Sequence, residues 1–274
     1  MAISGWSAPR TLVNGQAAVH VDAQDRGLSY GDGVFRTVRV ADGQPRWWPD
    51  HMATLARDCA RLGLLPPDQA DLDGDLAALS PLPDYGVLRV TVTRGQGPRG
   101  YRMPAHPRCS RIVTCWADAP VAAPAEGLTL RVCQLRLGYQ PALAGIKHLN
   151  RLENVLARAE WNDDAIDEGI LLDQDGRVVS GVMSNVFIWR DAGLQTPRLD
   201  LCGVAGVARS RLMRRARAAG IRVDEAEFDL VALLEADEVM LSNSLTGLRR
   251  VGRLGDRRWT GPIISPRLAA LLDA

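Results

Sequence analysis

The spacing of apolar residues changes along the chain, and each change predicts a different element. Alternation typical of strands occurs in "AAVHVDA", "GVFRTVRV", "YGVLRVTVT", "RIVTCWA" and "LTLRVCQLRL". "ADGQ" follows the second of these and predicts a hairpin turn. "EGILLDQDGRVVSGVMSNVFIWR" predicts two or three strands around a "DQDG" turn, and "ADEVMLSNS" predicts a late strand.

Apolar residues three and four positions apart predict helices between these strands. In "DHMATLARDCARLGL", Met52, Leu55, Cys59 and Leu62 form an apolar face, and Asp50 suits the N-cap. "PPDQADLDGDLAALS" predicts a turn and a second helix. "GVARSRLMRRARAAGI" predicts a basic helix that ends at its last glycine.

A further helix is predicted in "HLNRLENVLARAEW". Its apolar face contains Leu149, Leu152, Val155, Leu156 and Ala159. The pattern predicts that this face is buried and that the charged residues between its members are solvated.

Strands and helices alternate in both halves of the chain, which favours two α+β domains. "DAPVAAPAEG", residues 118–127, is rich in Pro and Ala, lacks periodicity and is predicted to be the interdomain linker. We therefore expect an N-terminal α+β domain over 1–117 and a C-terminal α+β domain over 128–274.

Composition excludes several classes of function. The 274 residues carry a formal net charge of +1, with 46% hydrophobic and 24% charged residues, which is ordinary for a soluble protein. A net charge this close to zero does not predict binding to nucleic acid. The sequence contains no run of 18 apolar residues, so we expect no membrane-spanning helix. "MAISGWSAPRTLVNGQ" lacks the features of a signal peptide, so we expect a cytoplasmic protein. Five cysteines without a CxxC pattern and four scattered histidines predict neither a disulfide framework nor a metal site.

The stretch "GQGPRG", residues 95–100, matches the G-x-G-x-x-G pattern of dinucleotide sites. Such a site needs a helix to begin there, whereas Pro98 and the following "YRMPAHP" predict a loop. The arginines Arg94, Arg99 and Arg102 are candidates for meeting a carboxylate substrate, and a merely solvated loop is the alternative.

Lys147 stands out because nearly all of the 33 Lys and Arg residues are Arg. It lies between a strand and the helix of "HLNRLENVLARAEW". An amine in an apolar pocket loses its charge, and a neutral amine attacks carbonyl groups to form a Schiff base. From its position alone, an ordinary surface lysine is the alternative.

Two other segments have features that favour an anionic cofactor. "CGVAGVARSRL" places glycines directly before a helix, whose free N–H groups suit a phosphate. "LSNS" places hydroxyl and amide groups at the end of a strand. A lysine, a helix N-terminus and a strand-end serine are what a pyridoxal phosphate (PLP) site requires.

The sequence resembles the class IV (fold type IV) PLP enzymes from about Val21 to Ser244. The segments "DAQDRGLSYGDGVFRT", "TRGQGPRGY", "AGIKHLNRLENVLARAEW", "SNVFIW", "CGVAGVARS" and "ADEVMLSNS" occur in that family's order. Within the class, "KHLNRLENVLAR" and "RGQGPRGY" resemble aminodeoxychorismate lyases. The resemblance implies a homodimer and conversion of 4-amino-4-deoxychorismate to 4-aminobenzoate and pyruvate, a step of folate synthesis.

The resemblance also implies roles for individual residues. Lys147 matches the Schiff-base lysine, which removes and then returns the proton. The implied cofactor-binding residues are Lys147, Ser180, Val207, Ala208, Asn243, Ser244 and Arg36, and the implied substrate-binding residues are Arg94, Arg99 and Tyr101.

Three positions depart from the family's pattern. Ser180 replaces a glutamate that bonds the pyridine nitrogen, Thr54 replaces a phosphate-gripping arginine, and Arg36 replaces a Glu or Thr. One interpretation is a lyase whose reaction is made favourable by aromatisation of the product, so that a weaker electron sink suffices. In this interpretation Arg36 supplies the positive charge that Thr54 lacks. The others are a diverged homologue acting as a binding or regulatory protein, and an aminotransferase.

Overall fold

The computed structural model describes residues 8–274, which divide into two compact units. The first unit contains the described residues up to Pro120 together with Lys147–Asn150. The second contains Val121–Ile146 and Arg151–Ala274. Residues 1–7 of the predicted N-terminal domain, which also begin the segment inspected for a signal peptide, lie outside the described residues. Among those described, no helix is long and apolar enough to cross a membrane.

The first unit is built on a six-stranded sheet whose neighbouring strands are all antiparallel, in the order β2-β1-β6-β5-β3-β4. Its strands are β1 (Arg10–Val13), β2 (Gln16–Ala17), β3 (Gly33–Ala41), β4 (Gln44–Pro45), β5 (Tyr85–Thr93) and β6 (Ser110–Ala117). Its helices are α1 (Arg26–Tyr30), α2 (Trp48–Arg61) and α3 (Gln69–Ala78). The predicted pairing of "YGVLRVTVT" with "RIVTCWA" is confirmed as β5 against β6.

The predicted "ADGQ" hairpin is confirmed between β3 and β4. Its central residues, Asp42 and Gly43, have φ of 52° and 69°. Two successive positive φ values match the type I′ turn, whose twist suits the flanking strands. The prediction of a strand at 17–23 is wrong beyond Ala17, because Val19 and Val21 are exposed and outside the sheet.

Helix α2 packs against β3 and confirms the predicted apolar face at Leu55 and Cys59, which are buried. The prediction of Asp50 as its N-cap is wrong. The helix begins at Trp48, and the capping residue is Trp47, with φ of 53°. Asp50 lies in the first turn, where its charge favourably meets the helix dipole.

The second unit is built on a nine-stranded mixed sheet, in the order β12-β11-β10-β13-β14-β7-β8-β9, with β15 paired to β14. Its strands are β7 (Leu128–Leu137), β8 (Glu168–Asp173), β9 (Val178–Gly181), β10 (Asn185–Arg190), β11 (Gly193–Pro197), β12 (Val223–Ala226), β13 (Glu238–Asn243), β14 (Gly247–Leu254) and β15 (Arg257–Arg258). Its helices are α4 (Leu152–Arg158), α5 (Val207–Ala218), α6 (Leu230–Glu235) and α7 (Ser265–Asp273). Three strands come from the stretch predicted to hold two or three.

The predicted burial of the α4 apolar face is wrong. Leu152, Val155 and Leu156 are 67%, 61% and 54% exposed. The helix has only seven residues and instead turns Ala157 inward, while Asn154 donates a hydrogen bond to the carbonyl of Val182. The side of α4 that packs against the rest of the unit, with Asn154 and Ala157, is therefore the side that the apolar periodicity predicted to face solvent.

Candidate functional site

Lys147 belongs structurally to the first unit, although it lies in the range 128–274 that the sequence assigns to the C-terminal domain. Its carbonyl accepts from the N–H of Phe35 at 2.9 Å, and the N–H of Leu149 donates to Gly33 at 3.0 Å. His148 and Val34 form the antiparallel bridge between them. Residues 147–149 therefore lie against the start of β3 and pair with it through an isolated antiparallel bridge.

The side chain of Lys147 is half-buried, and its Nζ lies 4.7 Å from the centroid of the Phe35 ring. Its backbone N–H donates to Oδ2 of Asp58 on α2 at 3.0 Å. The backbone of this lysine is thus held by a strand on one side and a helix on the other. Such fixation pre-orients a reactive amine.

Arg36 lies in the middle of β3, is 1% exposed and forms an ion pair with Oδ2 of Asp58. Burial lowers the pKa of the guanidinium to about 10, and the charge of Asp58 partly offsets that effect. Asp58 therefore contacts Arg36 through its side chain and Lys147 through its backbone. The first unit brings these three residues together.

Thr54 precedes Asp58 by one turn of α2 and is buried. Its hydroxyl donates to the carbonyl of Asp50 at 2.8 Å, so this donor is used within the helix. His51, another turn earlier, is buried as well, and neither ring nitrogen has a hydrogen-bond partner among the described residues. Burial, followed by the charge of Arg36, lowers the pKa of His51 to about 3, so the ring is neutral.

His51 and Asp58 were missed by the sequence predictions. Both stand on the face of α2 that carries Leu55 and Cys59, at positions where the helical period places core residues. A polar residue at a predicted core position is a signal for a paired or ligand-binding group. That signal was present in the sequence.

In the second unit, Val207 and Ala208 form the buried first turn of α5. The capping residue, Gly206, makes no side-chain cap. Asn185 at the start of β10 donates to the carbonyl of Val204 at 2.7 Å and accepts from the N–H of Gly206 at 3.1 Å. Asn185 therefore shapes the turn that presents the first N–H groups of α5, which suit an anion.

The strand-end segment of β13 lies in the same unit. The side-chain oxygen of Asn243 accepts from the N–H groups of Leu245 and Thr246, so Asn243 forms the turn into β14. Ser244 lies in that turn and is half-buried. The hydroxyl of Ser242 is buried with no hydrogen-bond partner among the residues described. A cofactor contact by Asn243 or Ser244 stays a prediction.

Ser180 lies in β9 opposite Leu171 of β8 and is buried. The turn after it is held by Glu168, whose carboxylate accepts from the N–H of Met183 at 2.6 Å and the hydroxyl of Ser184 at 2.9 Å. Burial raises the pKa of Glu168, and these hydrogen bonds oppose that effect. Glu168 is a second buried polar residue that the sequence predictions did not single out.

The three predicted substrate-binding residues lie in different environments. The guanidinium of Arg94 is buried and donates to Asp32 and to the carbonyls of Leu62 and Gly63 at 2.7–2.9 Å. These bonds indicate a structural role and argue against Arg94 as a substrate ligand. Arg99 is exposed, and Tyr101 is 87% exposed with its ring 5.4 Å from that of Tyr30. Residues 95–100 begin no helix, which confirms the prediction of a loop there.

The fold and these residues agree with one class of protein. The sequence profile of the family "Amino-transferase class IV" matches residues 33–254, and the chain belongs to that family. It is 36% identical to the aminodeoxychorismate lyase of Vibrio harveyi over 243 residues, which is 87% of this chain and 89% of the relative. The two-unit fold-type-IV architecture predicted from sequence is confirmed.

Solved structures show the same relationship. The 4-amino-4-deoxychorismate lyase of Pseudomonas aeruginosa matches with a TM-score of 0.89 and 42% identity, covering 96% of this chain and 97% of that one. The PLP-bound form of a hypothetical aminotransferase from Mycobacterium tuberculosis matches with a TM-score of 0.78 over 97% of this chain and 98% of its own, at 22% identity, which shows the fold alone.

Proposed function

We propose that this chain is an aminodeoxychorismate lyase that converts 4-amino-4-deoxychorismate to 4-aminobenzoate and pyruvate with the help of PLP. The near full-length similarity to two lyases supports this substrate class. The structural observation that carries the proposal is the fixed backbone of Lys147 beside Asp58 and β3. Lys147 is the only lysine in the sequence.

Each of the two units, taken by itself, contains donor groups of the kind that PLP requires. Arg36 Nε and both ring nitrogens of His51 are buried without partners among the described residues, and an anion would accept from the Arg36 Nε–H and from the one N–H of the neutral imidazole. The uncapped first turn of α5, at Val207 and Ala208, offers backbone N–H groups to a phosphate. When bound, PLP supplies an electron sink for the carbon that carries the substrate amine.

Within this proposal, Lys147 Nζ moves the proton. It removes the proton from the amine-bearing carbon and returns a proton to the departing enolpyruvyl group, which becomes pyruvate. Asp58 acts on this step indirectly, because it holds the backbone of Lys147 in register with β3. The product ring becomes aromatic, and that gain drives the reaction in the forward direction.

Ser180 favours the lyase over an aminotransferase. A hydroxyl, unlike a carboxylate, cannot keep a pyridine nitrogen protonated, so it gives a weaker electron sink. An aminotransferase depends on that sink in both half-reactions, whereas the lyase reaction has aromatisation to drive it. The second candidate is a diverged homologue that acts as a binding or regulatory protein without PLP. Ser180 is also the observation that supports this candidate.

We further propose a homodimer acting in folate synthesis in the cytoplasm. The exposed apolar strip of Leu152, Val155 and Leu156 on α4 supports self-association, because such contiguous side chains gain from removal from water. Light scattering after size exclusion should give twice the mass of 29.8 kDa. A monomeric mass at micromolar concentration would contradict the dimer without affecting the proposed reaction.

The reaction is tested on the purified protein. It should be yellow, and borohydride should attach the cofactor to Lys147 in the tryptic peptide 137–151. The Lys147→Arg variant, which keeps the charge, should lose that label. Addition of 4-amino-4-deoxychorismate should release pyruvate and 4-aminobenzoate without any added keto acid. Dependence on a keto acid would indicate an aminotransferase, and failure to take up PLP would indicate the diverged binding protein.

A further inference from the structure

The face of α2 that packs on β3 is unusually polar for a buried surface. His51, Thr54 and Asp58 stand three and four residues apart, so they share one side of the helix. All three are buried, and His51 is 2% exposed. A helix normally turns apolar residues towards a sheet. Thr54 and Asp58 have hydrogen-bond partners within the first unit, so His51 is the polar residue of this face that packing leaves unexplained.

Arg36 projects into the same layer from the middle of β3. Its Nη2 donates to Asp58 Oδ2, whereas its Nε–H has no partner among the described residues. Asp58 Oδ2 also accepts from the backbone of Lys147, and Oδ1 lies 3.4 Å from Arg57. Asp58 is thus fully engaged while Arg36 retains a buried donor.

His51 retains unused hydrogen-bonding capacity as well. Both ring nitrogens are buried and unpartnered in the described part of the chain, although a neutral imidazole always carries one N–H. Native proteins rarely leave such atoms without partners. Two unpartnered donors from two packed elements, Arg36 of β3 and His51 of α2, point to a ligand that accepts hydrogen bonds.

The charges indicate that the ligand is an anion. Burial is the main cause that lowers the pKa of His51, and the charges of Arg36 and Lys147 act in the same direction. Asp50 acts in the other direction, and its effect is smaller than that of Arg36. A group with several acceptor oxygens suits separate donors from a strand and a helix, as a phosphate monoester does.

We propose that Arg36 Nε and His51 together bind the phosphate monoester of the cofactor, with Asp58 orienting the guanidinium. This inference rests on the proposed function for the identity of the phosphate carrier. It assigns a binding role to His51 and makes Arg36 a phosphate ligand through one particular nitrogen. Thr54, between His51 and Asp58 on the helix, contributes its oxygen only to its own helix.

The test compares the affinities of PLP and pyridoxal, which differ only in the phosphate. Arg36→Gln keeps a side-chain N–H donor for Asp58 and leaves unchanged the residue that holds the backbone of Lys147, so the variants are Arg36→Gln and His51→Phe. Each should weaken PLP binding by at least about tenfold and change pyridoxal binding by less than about twofold. His51→Gln retains an N–H donor and should restore part of the PLP affinity. Arg57→Gln, an exposed arginine beside the same Asp58, is the matched control and should change neither.

Two results would overturn the proposal. One is a parallel loss of affinity for PLP and pyridoxal, and the other is an unchanged preference for PLP in both variants. Inorganic phosphate separates this inference from the proposed function. It should raise the Tm of the cofactor-free wild type above that in chloride of equal ionic strength, and should not do so in either variant. If wild-type protein binds no PLP, the proposed function fails, and the phosphate measurement alone still decides whether Arg36 and His51 bind an anion.

Discussion

The carboxylate of Asp58 accepts a hydrogen bond from the backbone N–H of Lys147 at 3.0 Å, across 89 residues of sequence. The same oxygen pairs with Arg36. One buried carboxylate therefore connects helix α2, strand β3 and the segment that carries the candidate reactive amine. The position of that amine therefore depends on a residue of α2 that lies far from it in sequence.

Replacing Asp58 with Asn should destabilise the protein strongly. The change leaves Arg36 as a buried cation without its counter-ion, which costs about 3–5 kcal/mol. Urea unfolding measures the loss in free energy of unfolding. Asp71→Asn is the matched control, because Asp71 pairs with Arg111 at 2.6 Å while its side chain is 49% exposed, and it should cost less than about 1 kcal/mol. Equal losses in the free energy of unfolding would contradict the expectation that the buried ion pair of Asp58 contributes more than the exposed ion pair of Asp71.

His51 should make stability fall at acid pH. Its pKa is about 3 in the folded protein against 6.5 when unperturbed, so only the unfolded chain binds the proton between these values. The contribution of neutral His51 to the free energy of unfolding is therefore fully present above about pH 6.5 and is lost as the pH falls towards 3. Between pH 7 and 5 the wild type should lose about 2 kcal/mol relative to His51→Gln in phosphate-free buffer. Urea unfolding of both proteins at pH 7 and pH 5 measures the difference. Parallel curves for wild type and His51→Gln would refute the expectation.

Asn185 should matter for the cofactor as well as for stability. Its two hydrogen bonds shape the turn before α5, and a Cβ on Gly206 would lie 2.5 Å from its side-chain oxygen. Asn185→Ala should lower the free energy of unfolding by about 1–3 kcal/mol and weaken PLP binding. Asn154→Ala removes a comparable bond, to Val182, and should lower stability only. Equal PLP affinities in the two variants would argue against a phosphate at the start of α5.

Ser180→Glu should strengthen the electron sink. A carboxylate beside the pyridine nitrogen stabilises its protonated form, so the absorption spectrum of the bound cofactor should shift and aminotransferase side activity should rise. Ser180→Ala, which removes only the hydroxyl, should leave both nearly unchanged. Identical spectra for wild type and Ser180→Glu would show that residue 180 does not reach the ring.

Arg94 and Arg99 should respond differently to replacement by Gln. Arg94 is buried with three acceptors, so its loss should lower stability by about 2–4 kcal/mol. Arg99 is exposed. As it is a proposed substrate ligand, its replacement by Gln should raise KM without changing the unfolding transition. Urea curves and steady-state kinetics measure the two effects. An unchanged KM in Arg99→Gln would remove it from the substrate-binding set.

Local pattern was sufficient for most elements of this protein. The alternation in 85–93 and 110–117 predicted two paired strands, and "ADGQ" predicted the hairpin, because short-range sterics and side-chain periodicity decide both. The order of motifs around Lys147 identified the family. The strand alternation and the hairpin turn depend on residues that are neighbours in sequence.

Only the tertiary structure decided which residues meet Lys147. The sequence contains no signal that pairs Arg36 with Asp58 or that places both beside residue 147, since the contacts span 22 and 89 residues. It also predicted the wrong buried face for α4, because apolar periodicity alone does not say which side of a short helix faces its own chain. Long-range packing settles both, through the hydrogen bonds and ion pairs that each buried polar group requires.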